Sequence, residues 1–228
     1  MKCRFLPAAL ALGTVFAIVA IAPSRAAEAT DAEDANQTDA QRAALESSAA
    51  AAAKSAEAII EQSNPKHLPA FPGAEGFGAL ATGGRGGEIV HITNLDDSGP
   101  GSFRDAVSQP NRVIVFDVGG VIKITKEVNV SSNITLLGQT APGDGICIYG
   151  NGVSLGGSSN IIVRYLRFRQ GIAGDRGKKA LGMDHSNDII VDHCSIEWGR
   201  WDDLGITVGS SDVTIQNCIV AEGIDPQS

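Results

Sequence analysis

Residues 188–196 read DIIVDHCSI, and two other segments repeat the same pattern, NIIVRYLRF at 160–168 and DVTIQNCIV at 212–220. A weaker copy, NITLLGQ, occupies residues 133–139, so the four copies begin 27, 28 and 24 residues apart. Each copy is rich in β-branched residues, which favour strands, and no amphipathic helical pattern separates one copy from the next. A period of this length predicts stacked supersecondary units built from strands.

Aligning the copies produces three apolar columns and one polar column. The apolar columns are Val163, Val191 and Ile215; Leu166, Cys194 and Cys218; and Phe168, Ile196 and Val220, whereas the polar column is Arg164, Asp192 and Gln216. Because strand side chains alternate between two faces, a bend after the polar column would turn the apolar columns inward and the polar one outward. Equivalent positions stacked at the strand spacing of ~4.8 Å give a parallel β-helix, which is an all-β fold. The alternative, an antiparallel sandwich, would not repeat in one direction at this period.

Residues 91–107, HITNLDDSGPGSFRDAV, precede the repeats and combine a strand, a Gly-rich acidic turn and a short helix with Ser102 as its N-cap. The first coil of a parallel β-helix would otherwise expose unpaired backbone and an apolar bore. We therefore expect this strand, turn and helix to cap the N-terminal end, with Phe103, Ala106 and Val107 plugging the bore.

The chain has 228 residues and a formal net charge of −8. Residues 1–26 have a basic start, an apolar run and a small-residue end, which predicts a cleaved secretory signal. A transmembrane anchor is the alternative, because the run is just long enough to span a bilayer. We expect a secreted, periplasmic or cell-surface protein with no nucleic-acid partner and, after cleavage of the signal, no membrane anchor.

Residues 27–64 are rich in Ala and acidic residues and hold few apolar side chains for a core. This composition predicts a solvated linker, disordered or partly helical. A coiled-coil spacer is the alternative, but the segment has no heptad pattern. The β-helix domain is then expected at residues 65–228.

FPGAEGFGALATGGRGGEIVHITNLDDSGPGSFRDAV (71–107), together with NIIVRYLRFR and IIVDHCSIEWG, resembles the secreted pectate lyases of the right-handed parallel β-helix type. The resemblance covers about residues 70–224 and implies β-elimination on polygalacturonate or pectin. In that reaction a base removes the C5 proton beside a carboxylate, and the glycosidic oxygen at C4 leaves. The resemblance also implies an arginine base on a coil past Ser228. We therefore expect a chain that is truncated at its C-terminus. Its catalytic residue is unassigned, and whether the truncated chain is itself active stays an open question.

The resemblance further implies a calcium ion that bridges protein carboxylates and the substrate carboxylate. The candidate ligands are Asp175, Asp184 and Asp202, whereas Lys178 and Lys179 occupy positions where the family usually has acidic residues. Calcium prefers 6–8 oxygen ligands, so the carboxylate set is incomplete. The alternative is a metal-free variant in which the two lysines neutralise the substrate carboxylate directly.

Six basic residues fall between positions 164 and 179, and strand alternation makes Arg167 and Arg169 point outward together. A polyanionic sugar chain would suit such a stripe, although a solvated strand face is the alternative. We expect the glycan to lie along Arg167, Arg169, Lys178 and Lys179, beside the loop EWGRWDDLG (197–205). In that loop Arg200 and Trp201 are further candidates for substrate binding, because indole faces stack on sugar rings. The alternative is that loop 197–205 only packs against the β-helix and binds nothing.

The histidines and cysteines of the repeats are expected to be structural. We expect His193 to bond to neighbouring backbone at the bend rather than to act as a general acid, and we leave the role of His185 open. Cys194 and Cys218 share a column, which predicts stacked buried thiols, with a disulfide as the alternative.

Two other functions compete with a lyase. One is a non-catalytic β-helix that binds acidic polysaccharide at the cell surface, which the missing base and sparse carboxylates favour. The other is a hydrolase of similar fold, which needs two carboxyl groups placed on either side of the bond. Asp202 and Asp203 are neighbours in sequence and would diverge on a strand, which weighs against hydrolysis.

Overall fold

The computed structural model describes residues 47–48 and 68–224. The predicted signal at 1–26 and nearly all of the predicted linker at 27–64 lie outside the described residues, so both stay predictions. Within the described part, no helix is long and apolar enough to cross a membrane.

Residues 88–221 form short strands that belong to three parallel sheets, which the chain visits in the same order in successive coils after its first strand. Sheet A contains β1 (Glu88–Ile92), β2 (Arg112–Phe116), β5 (Ile134–Leu137), β8 (Ser159–Arg164), β11 (Asn187–Asp192) and β14 (Ser211–Gln216). Sheet B contains β3 (Gly120–Lys123), β6 (Ile146–Tyr149), β9 (Leu166–Arg169), β12 (Ser195–Glu197) and β15 (Ile219–Ala221). Sheet C contains β4 (Val128–Asn129), β7 (Val153–Ser154), β10 (Leu181–Met183) and β13 (Leu204–Ile206). One α-helix, α1 (Phe103–Ala106), and 3₁₀ turns at Phe77–Leu80 and Gly138–Thr140 complete the elements of this region.

The strand register reproduces the columns that the repeats predict. Val163 pairs with Val191, which pairs with Ile215, and every pairing in the three sheets is parallel. Phe168 and Ile196 are paired in the same way on sheet B. Their side chains fill the bore together with the other inward residues, so the fold is the predicted right-handed parallel β-helix.

A single residue in the left-handed backbone region makes each bend between sheets A and B in the later coils. These residues are Tyr165, His193 and Asn217, with φ of 56°, 53° and 53°. Residues other than Gly, Asn and Asp seldom adopt this conformation, but here the next coil supports it. The amide of Tyr165 donates to the carbonyl of Asp192 at 3.1 Å. The one-residue bend brings the following position back into the bore, as the column alignment requires.

The N-terminal cap forms as the sequence predicts. Phe103, Ala106 and Val107 are buried in the bore at its first coil. Ser102 is the N-cap of α1, because its hydroxyl accepts a hydrogen bond from the amide of Asp105. A cap of this kind shields the first coil from water and from edge-to-edge association.

Residues 70–84, which we call the strap, cross the outer face of sheet A. The amide of Gly78 donates to the hydroxyl of Thr214 at 2.9 Å, and the amide of Gly84 donates to the hydroxyl of Thr135 at 2.9 Å. Together with Ala81 of the strap, the outward side chains of Ile162 and Ile190 form a second buried apolar cluster. The strap therefore joins early and late coils that are far apart in sequence.

The strap covers part of the polar column. The column does point away from the bore, but the guanidinium carbon of Arg164 lies 3.8 Å from the ring centre of Phe71 in the strap. The side-chain amide of Gln216 donates to the carbonyl of Gly73, also in the strap. Asp192, between Arg164 and Gln216 in the column, has a side chain that is 1% exposed.

Asp192 is ionised inside this covered layer because its carboxylate is fully hydrogen-bonded. Arg164 donates to Oδ2 at 2.8 Å and 2.7 Å, while Gln216 and Asn217 donate to Oδ1 at 2.9 Å and 3.0 Å. Burial by itself would raise the pKa of Asp192, but the hydrogen bonds from Asn217, His193, Gln216 and Arg164 outweigh it and lower the pKa to about 2.

Candidate functional site

The loops that lead from sheet B to sheet C stack side by side, as the repeat predicts. Loop 170–180 follows β9, and loop 198–203 follows β12 in the next coil. The amide of Gly171 donates to the carbonyl of Trp198 at 2.9 Å, and the amide of Ala180 donates to the carbonyl of Asp202 at 3.1 Å. These loops form a wall beside the outer face of sheet C.

The outer face of sheet C holds a shallow polar depression of about 170 Å³. Its lining consists of Glu127, Ser154, Gly177, Lys178, Lys179, Gly182 and Asp184. Two of the bases predicted to bind substrate therefore line this depression.

Lys179 is held along the sheet by paired glycines. Gly182 and Gly205 are register partners on β10 and β13, and the Lys179 stem runs over them. A Cβ added at Gly205 would fall 2.3 Å from the Lys179 Cδ and Cε atoms. A glycine inside a strand marks a close approach, so this signal was present in the sequence. The ammonium of Lys179 is 3.4 Å from the hydroxyl of Thr207.

Lys178 forms an ion pair that the sequence analysis missed. Its ammonium is 2.9 Å from the Glu127 carboxylate, a residue 51 positions earlier in the chain. The hydrogen bond and charge of Glu127 raise the pKa of Lys178, and the charges of Asp175 and Asp184 raise it further. Lys178 is thus a protonated, half-exposed cation at the rim of the depression.

The predicted calcium ligands do not assemble a calcium site. Among residues 68–224 no three His, Cys, Asp or Glu side chains converge in a group that could hold a metal ion. Asp184 has the imidazole of His185 3.5 Å away, and Asp202 contributes its backbone carbonyl to Ala180. Because calcium prefers 6–8 oxygens and two ammonium groups line this depression, the donor set here does not fit the ion.

Arg167 and Arg169 lie on sheet B, so loop 170–180 separates them from the two lysines. The guanidinium of Arg169 is 2.9 Å from the Glu197 carboxylate and also donates to the carbonyl and hydroxyl of Ser195. Arg167 makes no hydrogen bond or ion pair with another described residue. The four predicted bases therefore occupy two faces rather than one stripe.

Arg200 and Trp201 have different surroundings although they are adjacent. Arg200 is 9% exposed, and its guanidinium donates to the carbonyl of Gly174 at 2.7 Å, which ties its loop to loop 170–180. Trp201 is 64% exposed and offers its indole to solvent beside the loops. Of this pair, Trp201 is the side chain that a sugar ring could reach.

His193 is structural, but its partner differs from the predicted backbone group. Its Nδ1 lies 2.9 Å from Oδ1 of Asp192, and its ring stacks on Tyr165 with centroids 4.7 Å apart. The partner of the His193 ring is therefore the Asp192 carboxylate rather than a backbone carbonyl. Asp192 immediately precedes His193 and is the buried residue of the polar column. The ring of His185 is mostly exposed beside Asp184.

Cys194 and Cys218 are free thiols in one column, as predicted, but only Cys194 is buried and Cys218 is half-buried. The amide of Cys194 donates to Sγ of Cys218 at 3.4 Å. The hydrogen bond from the Cys194 thiol lowers the pKa of Cys218 to about 7, and the same bond together with burial raises the pKa of Cys194.

Several known proteins are similar to this chain, although it matches no protein-family profile. It is 55% identical over 161 residues to "Probable pectate lyase C" of Aspergillus flavus, a match that covers 71% of this chain and 38% of that protein. The protein of the same name from Aspergillus terreus is 54% identical over the same shares. "Putative pectate lyase 21" of Arabidopsis thaliana is 30% identical over 161 residues, covering 63% of this chain and 40% of that protein.

A solved structure supports the fold independently. The crystal structure of jun a 1, the major allergen from cedar pollen, superposes with a TM-score of 0.56 at 22% identity, covering 68% of this chain and 50% of that one. The chain spans about two fifths of the length of the curated relatives it matches. Over the region that it shares with them, the chain is a right-handed parallel β-helix of the pectate lyase type.

Proposed function

We propose that this protein binds polygalacturonate or pectin and serves its cleavage by β-elimination. The observation that carries the proposal is the pair Lys178 and Lys179 at the polar depression on sheet C, with the exposed Trp201 on the adjacent loop 198–203. The identity of 55% to a protein named as a probable pectate lyase supports the same substrate class. The proposed substrate is a polyanion, and the lysines supply the complementary charge.

The lysines have a defined task in the elimination. As a base takes the C5 proton, the electron pair left on C5 delocalises into the adjacent carboxylate and then forms the C4–C5 double bond. The C4–oxygen bond breaks, and the departing sugar takes up a proton. Ammonium groups placed against that carboxylate stabilise the charge that develops on it. Their hydrogen bonds to a carboxylate are charge-assisted and are stronger than neutral ones.

The structure prepares the two lysines differently. Gly182 and Gly205 hold the stem of Lys179 flat on sheet C, which limits the freedom that binding would remove. Lys178 is paired with Glu127, so substrate would have to share or displace that carboxylate. We assign binding and charge neutralisation to these residues. We assign no residue to the catalytic base.

We propose that the protein works outside the cytoplasm, in the secreted, periplasmic or cell-surface location expected from residues 1–26. A polysaccharide substrate is consistent with export. Mass spectrometry of the exported protein should find Ala27 as its first residue, and retention of residues 1–26 would contradict cleavage there.

Calorimetric titration with galacturonate oligomers tests the role of the lysines. Each exposed ion pair is worth about 0.2–1 kcal/mol, and we expect the two lysines together to contribute about 1–2 kcal/mol because their bonds to a carboxylate are charge-assisted. The double substitution Lys178→Ala/Lys179→Ala should therefore weaken binding roughly 5- to 30-fold. The control is Arg85→Gln, which removes a positive charge just after the strap and should leave binding within twofold. Unchanged affinity in the double variant would place the substrate elsewhere.

A second readout separates a lyase from a binding protein. Elimination creates an unsaturated product that absorbs ultraviolet light, whereas binding alone does not. Absorbance that grows with time supports the lyase. Tight binding without this product would favour the non-catalytic β-helix.

A further inference from the structure

The outer face of sheet B contains a hollow of about 530 Å³ that shares no lining residue with the depression on sheet C. Its lining consists of Val121, Cys147, Tyr149, Arg167, Arg169, Glu197 and Trp198. Val121, Cys147, Arg167 and Ser195 form one outward column, because they are register partners on successive strands. The hollow is thus a rigid strand surface rather than a loop pocket.

Arg167 brings an uncompensated charge to this hollow. The other arginines on described strands are paired, Arg112 with Glu88, Arg164 with Asp192 and Arg169 with Glu197. Arg167 alone among these strand arginines has no hydrogen bond or ion pair with a described residue. It is half-buried on β9, so part of its side chain is open to solvent.

Two aromatic side chains line the same hollow. The Tyr149 ring packs over Gly171, where an added Cβ would fall 2.9 Å from a ring carbon, and its hydroxyl has no hydrogen bond to a described residue. The indole of Trp198 is fixed by a 3.1 Å hydrogen bond from Nε1 to Glu222. Fixed aromatic rings beside a guanidinium match a uronate sugar, which presents an apolar ring face and a carboxylate.

A second depression adjoins the hollow at Arg167. It measures about 480 Å³ and is lined by Arg167, Asp144 and a Gly-rich turn, residues 142–145. Asp144 is exposed and lines the rim, where its carboxylate can accept hydrogen bonds from sugar hydroxyls. Glu197, the acid inside the hollow, is already neutralised by Arg169. Arg167 therefore stands between two depressions, each large enough for part of a sugar chain.

We propose that this surface of sheet B is a second uronate-binding site, separate from sheet C, which anchors the acidic polysaccharide through Arg167. The ligand class rests on the proposed function. Arg167 would bind one carboxylate in a two-pronged hydrogen bond, and Tyr149 and Trp198 would contact the sugar faces. An anchor of this kind would raise the local concentration of polymer around the depression on sheet C.

Titration of the 228-residue chain with short galacturonate oligomers tests this proposal by stoichiometry. The wild-type chain should bind two oligomers. Arg167→Gln should remove one of them, with a loss of roughly tenfold or more in the affinity of that site, because the bond to a charged group is lost. Arg167→Lys keeps the charge without the two-pronged geometry and should fall between these values.

The matched control is Arg176→Gln. Arg176 is exposed in loop 170–180 and, like Arg167, has no bond to another described residue. Its substitution removes the same charge and should leave both affinities within twofold. Equal losses in the Arg167 and Arg176 variants would show a general charge effect and overturn the site, as would one bound oligomer in the wild type.

The two proposals fail in different ways. If Lys178→Ala/Lys179→Ala removes one oligomer and Arg167→Gln removes the other, both stand. If the lysine variant loses all binding and Arg167→Gln loses none, the site on sheet B falls and the proposed function stands. The reverse result would retain the sheet B site and refute the role of the lysines. Equal melting temperatures across the variants would confirm that folding is unaffected.

Discussion

Replacing Asp192 by Asn should destabilise the β-helix strongly at neutral pH. The substitution keeps the shape of the side chain but removes the charge that Arg164 contacts at 2.7 Å. Arg164 is 18% exposed, so its guanidinium would be left largely buried without a counterion. Breaking a buried pair by removing one partner costs about 3–5 kcal/mol, and the partial exposure of Arg164 places the expected loss near the lower end.

The loss should depend on pH in a direction that follows from the pKa of Asp192. Its pKa is lowered from the ordinary 3.8 to about 2, so the ionised carboxylate favours the folded state. This stabilisation is present above pH 3.8 and is lost as the pH falls through about 2. At about 1.4 kcal/mol per pH unit, the difference between 3.8 and about 2 is worth about 2.5 kcal/mol.

Urea unfolding followed by circular dichroism measures both effects. The gap in unfolding free energy between wild type and Asp192→Asn should be largest near about pH 7 and should shrink by about 2 kcal/mol at pH values near 2. Asp144→Asn is the control, since Asp144 is exposed and has no ion pair with a described residue; it should change little at either pH. A gap that stays constant with pH would refute the role assigned to the Asp192 charge.

Three further predictions concern single positions. Gly78→Ala places a Cβ 2.1 Å from the Ile189 carbonyl and should loosen the strap at a cost of about 1–3 kcal/mol, seen as faster proteolysis within residues 70–84; unchanged proteolysis would contradict it. Gly205→Ala should displace Lys179 and weaken galacturonate binding, whereas Gly182→Ala, whose added Cβ would lie 3.5 Å from the Lys179 Cδ atom, should not; equal affinities of the two variants would contradict the role of Gly205 in placing Lys179. Alkylation of Cys218 should accelerate as pH rises through about 7, and peptide mapping that finds no such rise would contradict the lowered pKa.

The fold was predictable because its information is local and repeated. The columns led by Val163 and Phe168 appear directly in the sequence, and the structure pairs them in that register. The capping role of Phe103 followed from the need to close the bore. The pairing of Arg169 with Glu197 could also have been predicted, since the two residues follow the Phe168 and Ile196 column by one position.

The strap and the depression on sheet C were not predictable in this way. The strap has no repeat, and its contacts with Thr214 and Gln216 join residues more than 130 positions apart. Because the strap covers part of the outer face of sheet A, it buries Asp192 and shields Arg164 and Gln216 in the outward polar column. The pairing of Lys178 with Glu127 joins loops of different coils, whose lengths vary from coil to coil and break the register.

A structure of the chain bound to a short galacturonate oligomer tests the central claim most directly. We expect an oligomer on the outer face of sheet C, with a carboxylate about 2.7–2.9 Å from the ammonium of Lys178 or Lys179. Its sugar rings should lie against the Lys179 stem that covers Gly182 and Gly205, beside Trp201. A bound oligomer that leaves sheet C empty, with both lysines in their present contacts, would contradict the account.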